Sequence, residues 1–287
     1  MNLKLKVYAK LNLSLDITGI REDGYHLLDT VMTSISLADT ITFKKRQDRR
    51  INISYLNGEN YPRDIAKKAG DMLVKEYGFF GADIVIEKNI PEKSGLGGSS
   101  ADASGVIFGL SRLNGCDIEA VRLEDILSVG SDVYYMLYGG LRRVFGVGDI
   151  ISTSVECQTM DFLLLTDTEG VDTKKSYQSY NFGFNRFNNK SLMLELVRND
   201  PVKAAVFFKN ALYDSSRLLN SYIDEKTALL SDCDCSAFMT GSGSGVAGFF
   251  RDKAKMEEAY CRIKSDTNRK FEVFCVNSRN NGIEILE

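Results

Sequence analysis

A chain of 287 residues, 44% of them hydrophobic, is long enough for one large or two ordinary domains around a sizeable core. Its net charge of -3 and isoelectric point near 5.5 supply no general attraction for nucleic acid or an anionic membrane, so any anionic ligand needs a local site. Six cysteines (Cys116, Cys157, Cys233, Cys235, Cys261, Cys275) lack CxxC spacing and read as reduced thiols, and no run approaches the roughly 18 apolar residues of a membrane span.

The stretch MNLKLKVYAKLNLSLDITG lacks the continuous apolar core of a signal peptide, so a cytoplasmic protein is expected. By its alternation Leu3 to Thr18 reads as one or two strands. Lys10 and Asn12 interrupt them on one face, as part of a solvated surface or as a cation and an amide aimed together at a site. A turn at Glu22 to Gly24 precedes Tyr25 and His26, the only histidine, and a single histidine is more often structural than catalytic. Gln47 to Asn60 reads as a hairpin or loop. After Pro62, the spacing of Ile65, Ala69, Met72 and Leu73 predicts a helix.

The most informative stretch is IPEKSGLGGSSADASG, Ile90 to Gly105, between a strand-like run (Ala82 to Glu87) and an apolar run with helical spacing (Ala101 to Leu113). Gly95, Gly97, Gly98 and Ser99 let the backbone approach a ligand closely and point successive NH groups at one spot. A helix beginning near Ser100 adds its positive end, which favours a phosphate chain. Ser99 and Ser100 add hydroxyls for a phosphate or a metal. A plain turn with a serine cap is the alternative. Gly98 is followed by Ser99, not lysine, which excludes a Walker loop, and the glycine spacing differs from GxGxxG.

Downstream, Ile118 to Val129 reads as a short helix, and Asp132 follows Gly130 and Ser131 where a helix N-cap would sit. A strand-like run (Leu141 to Phe145), a turn (Gly146 to Asp149) and a buried strand within DFLLLTD come next. Asn181 to Asn189 reads as a loop, followed by helical patterns over Lys190 to Val197, Val202 to Asn210 and Ser215 to Leu230. SAFMTGSGSGVAGFF presents a strand, a glycine-serine turn and a second apolar run. Lys253 to Ile263 reads as a helix and Lys270 to Val276 as a strand.

With Pro91, Gly95, Leu96, Gly97, Ser99, Ser100 and Ala101 in place, the loop resembles the PxxxGLGSSAA motif of the GHMP kinases. Ala9 to Phe43, AKLNLSLDITGIREDGYHLLDTVMTSISLADTITF, resembles the 4-diphosphocytidyl-2-C-methyl-D-erythritol kinase branch, which is set apart by its DGYH element. GSDVYYMLYGG resembles that branch's GADVPFFLxGG. Met239, Gly241, Ser242, Gly243 and Phe250 match a third motif, MSGSGxxxFxxF. The resemblance implies an α+β GHMP kinase fold, with a ribosomal-protein-S5-like domain over residues 1–151, a ferredoxin-like domain over 152–287, and the active site in the cleft between them.

It further implies ATP and Mg2+, and phosphorylation of the 2-hydroxyl of a cytidine diphosphate-linked methylerythritol by a monomer or weak homodimer. Asp132 is then the catalytic base and Lys10 its charged neighbour; such a pair suits phosphoryl transfer, where the attacking hydroxyl loses a proton. Pro91, Gly95, Leu96, Gly97, Gly98, Ser99 and Ser100 would hold the nucleotide, with Ser100 on the metal. Tyr25 and Tyr177 would sandwich a cytosine while His26 bonds its edge. Asn12, Thr173, Gly241, Ser242 and Gly243 complete the substrate side.

Three departures stand out: Asp64 replaces an asparagine that helps hold adenine in the family, the loop carries one glycine fewer, and the segment before Tyr177 is two residues shorter. They leave open a kinase for another small alcohol, or a nucleotide-binding paralogue without turnover. The retention of both Lys10 and Asp132 speaks against the paralogue.

Overall fold

The computed structural model describes residues 2–58, 64–181, 183, 187–266 and 270–286. The N-terminal alternation produces one strand, β1 (Asn2–Ile20), which turns at 21–25 into β2 (His26–Lys45). At 19 and 20 residues both far exceed the usual strand of about 5 to 6. Register shifts between Tyr8 and Lys10, Asn12 and Ser14, and Ile17 and Gly19 bend the antiparallel pair. The first two shifts bracket Lys10 and Asn12.

β3 (Ile51–Tyr55) is followed by α1 (Ile65–Tyr77) and β4 (Ala82–Glu87). Within the hairpin or loop expected over Gln47 to Asn60, residues 51–55 form this strand, paired in parallel with β4, between irregular chain at 47–50 and a turn at 56–58. Parallel neighbours need a crossover, and α1 supplies it. Residues 59–63, Pro62 included, lie outside the described residues. α2 (Gly98–Leu113) lies tight on the sheet because it has glycine where it crosses. A Cβ at Gly105 would come within 2.5 Å of Val7, and one at Gly109 within 2.4 Å of Phe43.

The helix expected over Ile118 to Val129 is divided into a 3-10 turn (Ile118–Ala120) and α3 (Leu123–Val129). The chain is extended at Val121 and Arg122, whose NH is taken by the Tyr77 hydroxyl at 2.8 Å. After α4 (Val133–Tyr138), β5 (Arg142–Gly146) pairs with β2 and with β6 (Ile150–Ile151).

β7 (Asp161–Thr166), α5 (Thr173–Gln178) and α6 (Asn189–Val197) follow. The helix expected over Val202 to Asn210 shrinks to α7 (Pro201–Ala204), a 3-10 turn and β8 (Lys209–Asn210). Phe208 packs at 5.0 Å on Phe238, and the Asn210 amide donates to the carbonyls of Met239 and Gly241, so tertiary contacts override helical spacing there. The expected helix over Ser215 to Leu230 is two, α8 (Tyr213–Arg217) and α9 (Tyr222–Ser231), broken at the buried Asn220. β9 (Ser236–Met239), β10 (Val246–Phe250), α10 (Lys253–Lys264), β11 (Glu272–Arg279) and β12 (Ile283–Ile285) complete the chain.

Among the described residues one sheet runs β12-β1-β2-β11-β7-β10-β9. β11 joins its two parts, pairing with β7 along most of its length and with β2 at Ser278 and Arg279. One core lies between the sheet and helices α1, α2 and α4; a second gathers Leu163, Leu165, Val246, Leu230 and Met256 with Leu15 and Ile17 of β1. No described helix is long and apolar enough to cross a membrane, and all six cysteines are free thiols.

Candidate active site

Where β1 bulges, two glycine-rich turns from distant parts of the chain clasp it. The Lys10 NH donates to the Leu96 carbonyl at 3.0 Å, and the Asn12 NH to the Thr240 hydroxyl at 2.9 Å. The turns touch backbone to backbone: Gly245 NH donates to the Ser94 carbonyl at 2.9 Å, and a Cβ at Gly95 would stand 2.3 Å from the Thr240 oxygen. A Cβ at Gly241 would be 2.7 Å from the Gly95 oxygen and 3.1 Å from Lys10 Nζ. Close packing of this kind is what the small residues of the second turn call for. Gly243 NH closes that turn onto the Thr240 carbonyl at 3.0 Å.

Lys10 and Asn12 are 3% and 1% exposed, which rules out a solvated face. The Lys10 ammonium donates to the Asn12 side-chain oxygen, and the Asn12 amide to the Thr30 hydroxyl at 2.8 Å. Asp132 Oδ2 is 3.8 Å from Lys10 Nζ. Asp132 does occupy the N-cap position of α4, but its side chain makes no capping hydrogen bond. Burial lowers the Lys10 pKa, and the Asp132 carboxylate works in the opposite direction.

α2 begins at Gly98, two residues before the expected Ser100. Gly95 and Gly97 lead into it at φ +75° and +73°, a region side chains rarely adopt. Ala101 NH is the first to close onto the helix, on the Gly97 carbonyl at 2.9 Å, so the NH groups of residues 98–100 face off its start, where an anion is favoured. Pro91 anchors the loop through its carbonyl, which takes the Ser94 hydroxyl at 2.6 Å.

Together these groups line a cleft of about 780 Å³ that holds Lys10, Asn12, Asp132, residues 91–100, Thr173, Tyr177, Gly241 and Ser242. The Thr173 hydroxyl is 2.8 Å from that of Ser242. Tyr177 packs against His26, ring centroids 5.0 Å apart and planes at 48°. Burial, reinforced by the Asp132 charge, raises the Tyr177 pKa, and burial lowers that of His26. Tyr25 stays at the hairpin turn, 65% exposed, and neither it nor His26 is among the described residues lining the cleft. Asp64 caps α1, accepting from the NH groups of Ala66 and Lys67 at 2.9 and 3.0 Å, beside a small cavity of about 50 Å³ that Ser99 also borders.

Sequence reading missed Thr240 and Thr30, which hold Asn12, and a buried triad beneath the loop. Lys88 bonds both Asp39 and, at 2.6 Å, Asp102; Asp39 also accepts from the NH groups of Asn89 and Ile90. The signal was present, since Asp39 and Asp102 are lone charges within apolar runs, where a charge persists only if paired.

Residues 64–140 match the GHMP kinases N terminal domain. The chain is 35% identical over 270 residues to a 4-diphosphocytidyl-2-C-methyl-D-erythritol kinase of Caldanaerobacter subterraneus, covering 92% of this chain and 93% of that protein. The chain belongs to the 4-diphosphocytidyl-2-C-methyl-D-erythritol kinase family. A Clostridium tetani kinase of the same name is 33% identical, over 94% of this chain and 98% of its own. A crystal structure of 4-(cytidine 5'-diphospho)-2C-methyl-D-erythritol kinase superposes with a TM-score of 0.80 at 23% identity, over 96% of this chain and 98% of the other. A homoserine kinase from Cytophaga hutchinsonii gives 0.76 at 14%, over 99% and 97%. The fold is thus the GHMP kinase fold, and as a member of a kinase family the chain uses ATP as its co-substrate.

Proposed function

We propose that this kinase transfers the γ-phosphate of ATP to the 2-hydroxyl of 4-diphosphocytidyl-2-C-methyl-D-erythritol, in the methylerythritol phosphate route of isoprenoid biosynthesis in the cytoplasm. The observation that carries the mechanism is the Lys10–Asp132 pair, 3.8 Å apart where the two glycine turns meet. The substrate oxygen attacks the γ-phosphorus, its proton passes to the Asp132 carboxylate, and ADP leaves. Lys10, beside that carboxylate, offsets charge on the transferring group. Asn12 holds the Lys10 ammonium in place. The NH groups of residues 98–100 receive the phosphates.

Mg2+ on a nucleotide needs only one or two protein oxygens beside phosphates and water. The Ser100 hydroxyl, on the first turn of α2 and lining the cleft, fits that need and is the residue we assign to it. The metal would neutralise charge on the phosphates. We divide the chain near Ser152 into a nucleotide-binding part and a second part that brings Thr173, Tyr177 and the second glycine turn.

For the cytidine end, Tyr177 lines the cleft and supplies one ring face; Tyr25 and His26, outside the lining, are assigned the other face and the base edge, which requires the hairpin turn to fold over the bound base. The test pairs two variants. Asp132→Asn lowers turnover by roughly 100-fold or more with ATP affinity at neutral pH unchanged, and near-normal turnover would remove Asp132 from the role. Tyr177→Ala weakens the acceptor by about 1 to 3 kcal/mol, the scale of base stacking, with ATP unaffected. A uridine analogue, with donor and acceptor exchanged at its edge, is rejected more strongly than lost stacking predicts. Equal phosphorylation of the two would reduce the reading to a kinase for some other small alcohol.

A further inference from the structure

The turn between β7 and α5, residues 167–172, lies behind the cleft and is built around a charge pair that the phosphoryl-transfer chemistry does not use. Asp167 and Lys226 of α9 form an ion pair with side chains 1% and 0% exposed. Asp167 Oδ1 also accepts from the NH groups of Glu169 and Gly170, at 3.0 and 2.9 Å, so the carboxylate wraps the turn around itself. Asn220, where α8 and α9 are broken, donates its amide at 3.1 Å both to that oxygen and to the Gly170 carbonyl. A buried ion pair adds little stability over an apolar filling, but removing one partner leaves an uncompensated buried charge, so the pair acts as a unit.

What the turn fixes reaches both walls of the cleft. Val171 NH donates to the Lys93 carbonyl at 3.1 Å, the same oxygen that takes Ser244 NH at 3.2 Å, so the turn, the phosphate loop and the second glycine turn meet on one acceptor. A Cβ at Gly170 would stand 2.3 Å from that of Lys93, which allows no slack. Two residues further on the turn becomes α5, which carries Thr173 and Tyr177. The phosphate loop has supports of its own, through Lys10 NH on Leu96 and Gly245 NH on Ser94. α5 is held by Ser176 on Ser216 at 2.6 Å, Thr173 on Ser242 and the packing of Tyr177 on His26, none of which ties it to the phosphate loop directly.

We propose that Asp167, Asn220 and Lys226 act as one positioning unit that sets the acceptor wall of the cleft, Thr173 and Tyr177, at a fixed distance from the phosphate loop. None of the three lines the cleft among its described residues. Their effect is on acceptor placement, and the proposal rests on the assignment of α5 to the acceptor side made above.

The experiment combines amide hydrogen exchange with steady-state kinetics on the full chain carrying Asn220→Ala, Lys226→Met or Lys226→Arg. The expected result for Asn220→Ala and Lys226→Met is faster exchange over residues 170–178 with residues 98–113 unchanged. The acceptor KM rises roughly 5- to 10-fold, the scale of a small misplacement, while the ATP KM stays within about twofold. Lys226→Arg restores much of the acceptor KM. Should Lys226→Met not fold, Asn220→Ala carries the test. A fall in melting temperature with unmoved acceptor KM, or exchange that speeds up evenly across the chain, overturns the proposal. A wild-type enzyme inactive on the cytidine diphosphate alcohol would sink the functional reading, and the exchange arm would still decide whether the unit holds α5.

Discussion

Lys10 shows how a residue's meaning depends on what covers it. On the strand pattern it is one cation among alternating apolar residues; in the fold it is buried by two turns that lie 86 and 230 residues further along, at Leu96 and Thr240. Its pairing with Asn12 was legible, since residues two apart share a strand face. Its burial was not. A buried ammonium held by one carboxylate loses its proton more readily than a lysine in water, so burial moves its pKa below the ordinary 10.5 and Asp132 restores part of the difference. If phosphate binding needs the charged form, ATP affinity declines on the alkaline side earlier than for an exposed lysine. In Asp132→Asn the raising influence is gone, and the decline shifts to still lower pH. Calorimetric titration of ATP from neutral to about pH 10 reads both; a limb that stays put in the variant would mean that the carboxylate does not act on Lys10.

The elements that sequence periodicity describes well are those that satisfy themselves. α1, α2 and α10 have their own caps or apolar stripes, and their bounds fall within a few residues of expectation. The phosphate loop was legible for a related reason, because its glycines are dictated by local geometry. Elements whose shape is set by a remote partner were misread: the break at Asn220 exists because its amide serves Asp167 and Gly170, some 50 residues away. The contact between the two glycine turns is of the second kind, and it supports a test. Gly95→Ala places a methyl 2.3 Å from a backbone oxygen that cannot rotate aside, in a conformation that costs a side chain about 1 to 2 kcal/mol. Separating the turns shifts Lys10 and the loop together, so nucleotide affinity and melting temperature fall in parallel. Unchanged ATP affinity in calorimetry would show that the phosphates do not depend on this contact.

At the scale of the whole molecule, the sheet ties the end of the chain to its beginning. Periodicity called a strand near Lys270 to Val276, but not that β11 would run on to Arg279 and reach β2, nor that β12 would lie along β1, because pairing partners leave no mark on a single strand. β12 covers the outer edge of β1 with Ile283 opposite Val7 and Ile285 opposite Leu5, and Leu286 NH donates to the Lys4 carbonyl at 2.8 Å. Just before it, Gly282 takes the Tyr8 NH at 2.9 Å and donates to Tyr138 at the end of α4 at 3.0 Å; a Cβ there would meet the Met136 carbonyl at 2.1 Å. Gly282 therefore supports the helix whose N-cap is Asp132, far back in the sequence. A chain ending at Asn281 exposes the β1 edge and loses several backbone hydrogen bonds, each contributing about 1 kcal/mol net. We expect a melting temperature several degrees lower, turnover reduced more than ATP affinity, and one calorimetric transition throughout, since β11 pairs with strands on both sides. Two separate transitions, with only one moved by the truncation, would show that the halves fold independently and that the shared sheet does not couple them.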